Sequence, residues 1–207
     1  MNQAVATANE AKLSEYDFVV CIDTSGSMGD PVKAGQTRTR WEAVQESAIS
    51  FARDLEKFDA DGIDMVLFGG AQGVTSHQGV TADKVREVFA TRSPRGSTPL
   101  AEALTAALAL AGKSDKKDFI IVFTDGVPDD RQAAARVIRE ASNKQLTDDA
   151  LTILFVQIGD DVAASSYLKS LDDDLQGAKF DIVDAKTLAE AEQFATTAEL
   201  VLAAIAG

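Results

Sequence analysis

The chain has 207 residues, 45% of them hydrophobic, which is enough for one well-filled core. Its 33 acidic against 20 basic residues leave a formal charge of −13, which opposes the phosphate neutralisation that drives nucleic-acid binding and sets nucleic acid aside as a partner. The single cysteine, Cys21, lies in the apolar run Phe18-Val19-Val20-Cys21-Ile22, so no internal disulfide is available and the thiol reads as a small buried hydrophobe.

Residues 1–14 read as a polar, alanine-rich tail and residues 15–207 as one domain. The tail lacks the basic n-region and sustained apolar core of a secretory signal, so a cytoplasmic location is expected. No membrane span is expected either. The most apolar terminal stretch, Leu200 to Ala206, falls far short of the roughly 20 residues that cross a bilayer.

From Phe18 onward, short β-branched runs alternate with segments of helical period, the pattern of α/β units built on parallel strands. Strands are expected at Phe18 to Ile22, Ile63 to Phe68, Val74 to Gln78, Phe119 to Phe123, Leu151 to Ile158 and Phe180 to Val183. Phe119-Ile120-Ile121-Val122-Phe123 is apolar throughout, as in a central strand covered on both faces. Val74 to Gln78 is polar and follows the turn-like Gly69-Gly70-Ala71-Gln72-Gly73, which suits an antiparallel edge strand.

A first helix is marked by Trp41, Val44, Ala48, Phe51, Leu55 and Phe58 at steps of three and four. Further helical periods follow at Val85, Val88 and Phe89; at Leu100, Leu104, Leu108 and Ala111; at Ala134, Val137, Ile138 and Ala141; and over Val162 to Leu171. A single last helix is expected to carry Leu188, Ala191, Ala195, Ala198, Leu202 and Ile205 on one side.

Three loops carry groups with chemistry. The first strand runs into Asp23-Thr24-Ser25-Gly26-Ser27-Met28, a carboxylate and hydroxyls leaving the carboxyl end of a buried strand, where open α/β sheets bind ligands. Oxygen-only side chains at alternate positions suit a hard cation such as Mg²⁺, although Asp and Ser after a strand also make Asx turns and caps. Gly96-Ser97-Thr98-Pro99-Leu100 offers Thr98 either as a ligand or as the N-cap ahead of a Pro at the first helical position. Phe123-Thr124-Asp125-Gly126 places Asp125 where the central strand ends, as ligand or turn residue. Asp23 and Asp125 lie at the same ends of two strands expected to be neighbours. Two carboxylates so placed repel unless a cation lies between them.

Asp23-x-Ser25-x-Ser27, Thr98 and Asp125-Gly126, in this order and on these elements, resemble the metal ion-dependent adhesion site of von Willebrand factor A (VWA) domains, and the likeness runs from about Tyr16 to the end of the chain. The resemblance implies a Rossmann-like, doubly wound sheet in the order 3-2-1-4-5-6, with strand three antiparallel at the edge and helices on both faces. It implies direct metal bonds from Ser25 and Ser27, water-mediated or hydrogen-bonding roles for Asp23 and Asp125, and either mode for Thr98. The metal expected is Mg²⁺, or Mn²⁺ or Ca²⁺, with a partner's Asp or Glu completing the octahedron. The type implied is the bacterial, stand-alone, intracellular one, an adaptor in an assembly or stress-response setting such as an AAA+ ATPase system or a tellurite-resistance-type complex.

The alternative is a metal-dependent phosphotransferase or phosphatase of the haloacid dehalogenase type, whose nucleophilic Asp also follows a first strand. That chemistry needs a second Asp two residues on as general acid, and Ser25 stands there. The single histidine, His77, falls in the expected edge strand, away from any nucleophile. Asp172-Asp173-Asp174 lacks the glycine and terminal glutamate of an EF-hand and reads as a solvated helix end. Lys33, Arg38, Arg40, Arg92 and Arg95, with Asp30, Asp129, Asp130, Asp160 and Asp161, are expected to give the site a face of mixed charge.

Overall fold

The computed structural model describes residues 9–58 and 62–207. The first eight residues of the expected polar tail lie outside the described residues. Residues 9–13 form a helical turn, and Leu13 at its end is fully buried.

Six strands form one sheet in the order β3-β2-β1-β4-β5-β6: β1 (Tyr16–Asp23), β2 (Ile63–Phe68), β3 (Val74–Val80), β4 (Lys117–Thr124), β5 (Leu151–Gln157) and β6 (Val183–Thr187). All pairings are parallel except β2 with β3, the antiparallel edge hairpin that the polar strand and its glycine turn led one to expect. β1 and β4 are paired so that Ile22 lies opposite Phe123. Asp23 therefore lies level with Thr124, and Asp125 projects one residue beyond.

Side-chain alternation divides the core into two layers. Phe18, Val20 and Ile22 of β1 and Phe119, Ile121 and Phe123 of β4 face one side. There they meet α1 (Arg40–Leu55), α2 (Ala82–Ala90) and the C-terminal helices. Val19 and Cys21, with Ile120 and Val122, face the other side, against α3 (Leu100–Leu110), α4 (Arg131–Lys144) and α5 (Val162–Asp173). Phe123 meets Phe51 of α1 edge-on at 5.8 Å between ring centroids, and Trp41 lies against Phe89 of α2 at 4.7 Å. Each fully buried side chain of these layers contributes on the order of 1.5–3 kcal/mol, while Trp41 is only partly buried, and the two layers fix the strand ends from which the functional loops depart.

Two elements differ from expectation. The terminal helix is broken into α6 (Leu188–Ala191) and α7 (Thr197–Ile205). Thr187 and Glu190 form a capping box on α6, and Thr196 accepts from the Glu199 N–H to start α7 anew. The break rotates the buried face of α7 to Leu200, Val201 and Ala204, leaving Ala198, Leu202 and Ile205 only partly buried. The last strand begins at Val183 rather than Phe180: the apolar Phe180 approaches the sheet as a loop, its carbonyl accepting from Ser142 Oγ at 2.9 Å.

The β2–β3 turn bears directly on the loop after β1. Gly69 adopts φ +118°, and a Cβ on it would stand 2.9 Å from the Ser25 nitrogen. Gly69→Ala is therefore expected to lose about 2–3 kcal/mol in a urea unfolding experiment, from backbone strain plus the clash. Gly112→Ala, at φ +67° with open space around it, should lose only about 1–2 kcal/mol. Equal losses would show that the close approach at Gly69 is not tight.

Candidate functional site

The carboxyl ends of β1 and β4 bring a cluster of oxygens to the top edge of the sheet. Asp23, the last residue of β1, is fully buried and accepts two hydrogen bonds: from the Ser25 N–H at 2.7 Å and from the Thr124 hydroxyl of β4 at 2.6 Å. The first bond closes the loop on itself, and the second ties it across the sheet. Ser25 Oγ lies 3.2 Å from Ser27 Oγ, and Ser27 Oγ donates to Asp125 Oδ1 at 2.9 Å. Ser27 belongs to a short 3₁₀ turn, Gly26–Gly29, anchored inward by the buried Met28. Asp23, Ser25, Ser27 and Asp125 thus form one continuous row.

Thr98 comes from the loop between α2 and α3. That loop is fastened to the first by Gly26 N–H donating to the Gly96 carbonyl at 3.1 Å and Arg95 N–H donating to the Thr24 carbonyl at 2.9 Å. It is fastened to the third by Thr98 N–H donating to Asp129 Oδ1 at 3.1 Å, answered by Asp129 N–H on the Thr98 carbonyl at 3.1 Å. α3 begins after Pro99 without any side-chain cap, so the Thr98 hydroxyl is not spent on the helix, against the capping alternative. Thr98 is buried.

The charges of the site are buried with it. Asp125 is 1% exposed, and its second oxygen, Oδ2, accepts from Arg40 Nη1 at 2.6 Å. Loss of solvation pushes the Asp23 carboxyl up to about 7; the bond from Thr124 opposes this and the charge of Asp125 adds to it. Among the described residues no three His, Cys, Asp or Glu side chains cluster to hold a metal. The donors here are chiefly hydroxyls with carboxylates behind them, a hard, oxygen-only set of the kind that suits Mg²⁺ or Mn²⁺ rather than zinc.

Residues 18–127 match the family described as von Willebrand factor type A domain. The chain belongs to this family. Solved structures share the fold at low identity. The manganese-loaded TRAP protein of Plasmodium vivax is 18% identical with a TM-score of 0.60, over 86% of this chain and 71% of that one. The PilB minor pilin of Streptococcus sanguinis is 14% identical with a TM-score of 0.60, over 92% and 60%. The VWA domain of SpRpn10 is 15% identical with a TM-score of 0.56, over 83% and 88%. No curated protein sequence matches significantly.

Within this VWA domain, several charges expected around the site serve other ends. Arg92 is buried and donates to the Gly69 and Gly73 carbonyls at 2.7 and 3.1 Å and to Thr75 Oγ1 at 2.8 Å, pinning the β2–β3 turn. Asp130 and Asp161 cap α4 and α5 by accepting from the Ala133 and Ala164 N–H groups. Asp172, expected to be solvated, accepts from the Ala185 N–H of β6 at 3.2 Å. His77 lies on edge strand β3 opposite Met65. Arg40 is the one cation of that set found on a site carboxylate, a role its place in the sequence does not announce.

The buried Asp23 gives the domain a pH signature. Its folded-state pKa of about 7 lies above the unfolded value of about 3.9, so between these values the folded state holds a proton that the unfolded state has lost. In chelator, stability should therefore fall as pH rises from 4 to 7, by as much as about 4 kcal/mol from this group. Asp23→Asn should remove that slope when unfolding is measured at pH 5 and pH 8. An identical slope in wild type and variant would show that Asp23 is ionised throughout.

Proposed function

We propose that this VWA domain is a protein-binding module that works through a divalent cation held by Asp23, Ser25, Ser27, Thr98 and Asp125. The Ser25 and Ser27 hydroxyls bond the ion, Asp23 and Asp125 act through water or by holding the hydroxyls, and Thr98 completes the protein's share directly or through water. An Asp or Glu of a protein partner takes a remaining position. The observation that carries this reading is the spacing of the two hydroxyls: Mg–O bonds of about 2.0–2.1 Å put adjacent oxygens of an octahedron about 2.9 Å apart. Ser25 Oγ to Ser27 Oγ is 3.2 Å, and the 2.9 Å bond from Ser27 Oγ to Asp125 Oδ1 holds the second hydroxyl in place. The manganese carried by the TRAP structure lends family support to a divalent ion, with Mg²⁺, Mn²⁺ and Ca²⁺ as the candidates.

A phosphotransferase reading draws no support from the geometry. Ser25 Oγ, where a general acid would stand, is engaged with a second hydroxyl, and a hydroxyl of high pKa protonates a leaving group poorly. Among the described residues no helix is long and apolar enough to cross a membrane.

Metal should stabilise the fold. At 100 times Kd the gain is about 2.7 kcal/mol, a rise in melting temperature of roughly 5 to 11 °C at this size. Ser25→Ala should abolish the rise while leaving the chelated protein folded. Thr98→Ala should weaken the response to metal without altering the chelated melting curve. Binding of an acidic partner should vanish in EDTA and return with Mg²⁺. A melting curve indifferent to metal, or a complex that survives both EDTA and Asp125→Ala, would refute the proposal.

A further inference from the structure

We propose that Arg40 is a built-in counter-cation of the site: it holds Asp125 before a metal enters, restrains metal affinity, and leaves the loaded site positive enough to draw in an anionic group. The inference rests on the metal-binding reading above and adds to it a residue outside the five.

Arg40 is the first residue of α1, behind the loop of Ser25 and Ser27, and its backbone N–H is fixed on the Asp30 carbonyl at 2.9 Å. Its side chain is 15% exposed, and Nη1 reaches Asp125 Oδ2 at 2.6 Å. Asp125 is thereby shared between Ser27 on one oxygen and Arg40 on the other. The guanidinium lies against backbone after β5. Gly159, at φ +88°, leaves room for it, since a Cβ there would stand 2.8 Å from Nε and 3.1 Å from Cζ. Nε is buried without a hydrogen-bond partner among the described residues. The bond to the carboxylate is the shortest that the guanidinium makes, against 3.5 Å from Nη1 to the Ser27 carbonyl, and this charge-assisted contact anchors it.

The electrostatic consequence has two opposite signs. A divalent ion on two ionised carboxylates alone gives a neutral cluster, which has little pull on a further carboxylate. With Arg40 the loaded cluster keeps one positive charge. The same charge repels the incoming metal, and in a water-poor site both effects are stronger than at the surface. Arg40 thus trades metal affinity for ligand affinity and acts as a positioning and tuning residue.

The test is a Mn²⁺ titration by calorimetry of wild type, Arg40→Gln and Arg40→Lys, with melting curves in chelator. Arg40→Gln should bind Mn²⁺ about tenfold more tightly or better, and melt lower in chelator because Asp125 loses its ion-pair partner. Arg40→Lys, which keeps the charge, should stay close to wild type. Titrating acetate onto the Mn²⁺-loaded proteins should show weaker binding to Arg40→Gln than to wild type. In the unaltered protein, the side-chain Nε–H signal of Arg40 should shift with Mg²⁺ at the midpoint of metal binding, a readout that holds even if a variant fails to fold. Wild type that binds Mn²⁺ while Arg40→Gln binds it equally or more weakly, or an Arg40 signal that ignores Mg²⁺, would overturn the role of Arg40 and leave the metal site standing. Absence of Mn²⁺ binding in every protein would remove the metal site and this inference together.

Discussion

Two carboxylates buried side by side, at the carboxyl ends of adjacent parallel strands, set the terms for the rest of this domain. Asp23 and Asp125 are both almost wholly removed from water, and the pairing of β1 with β4 leaves them no means of moving apart. An unpaired buried charge costs several kcal/mol, so the surrounding residues must compensate it. Thr124 and the Ser25 N–H answer Asp23, while Ser27 and Arg40 answer Asp125. Every oxygen of the pair has a donor. Once Asp23 is ionised, one negative charge is left over, and a divalent cation between the hydroxyls is the natural complement to it.

The loops around the pair are held by hydrogen bonds in which at least one partner is backbone. Thr24, Gly26 and Arg95 lock the first and second loops together, and Thr98 with Asp129 locks the second to the third. Beneath them, Arg92 fastens the β2–β3 turn, whose glycine lets it lie directly against Ser25. Side chains set on such a frame need little reorganisation to meet a ligand, which is where preorganised sites gain their affinity. A loosened turn on the far side of β2 is therefore felt at Ser25, although no residue of that turn belongs to the row of oxygens.

The strands were legible because buried parallel strands write themselves as apolar runs, and the polar edge strand as an exception; their order was implied by the resemblance to VWA domains. The row Asp23, Ser25, Ser27 and Asp125 was legible because strand ends fix where those residues emerge. Other features depend on contacts that periodicity does not carry. The C-terminal segment keeps a helical apolar spacing across Glu192 to Thr196, yet the first helix ends at Ala191 and the capping hydroxyl of Thr196 starts a second one. Phe180 looked like a strand residue for its hydrophobicity alone, whereas its carbonyl is held by Ser142 on α4. Arg40 and Arg92 are indistinguishable from surface arginines in the sequence. Only the fold brings one to Asp125 and the other into the hairpin turn, because both partners are distant in the chain.

The most direct measurement is anomalous diffraction at the manganese edge from crystals of the domain grown with Mn²⁺. A single peak bonded to Ser25 Oγ and Ser27 Oγ, with the Asp23 and Asp125 carboxylates just beyond bonding distance and solvent or a carboxylate on the open side, is the predicted result. A manganese bound elsewhere, for example at Asp172 to Asp174, or none at millimolar Mn²⁺, would contradict it and leave Arg40 as the only cation that the buried carboxylates require.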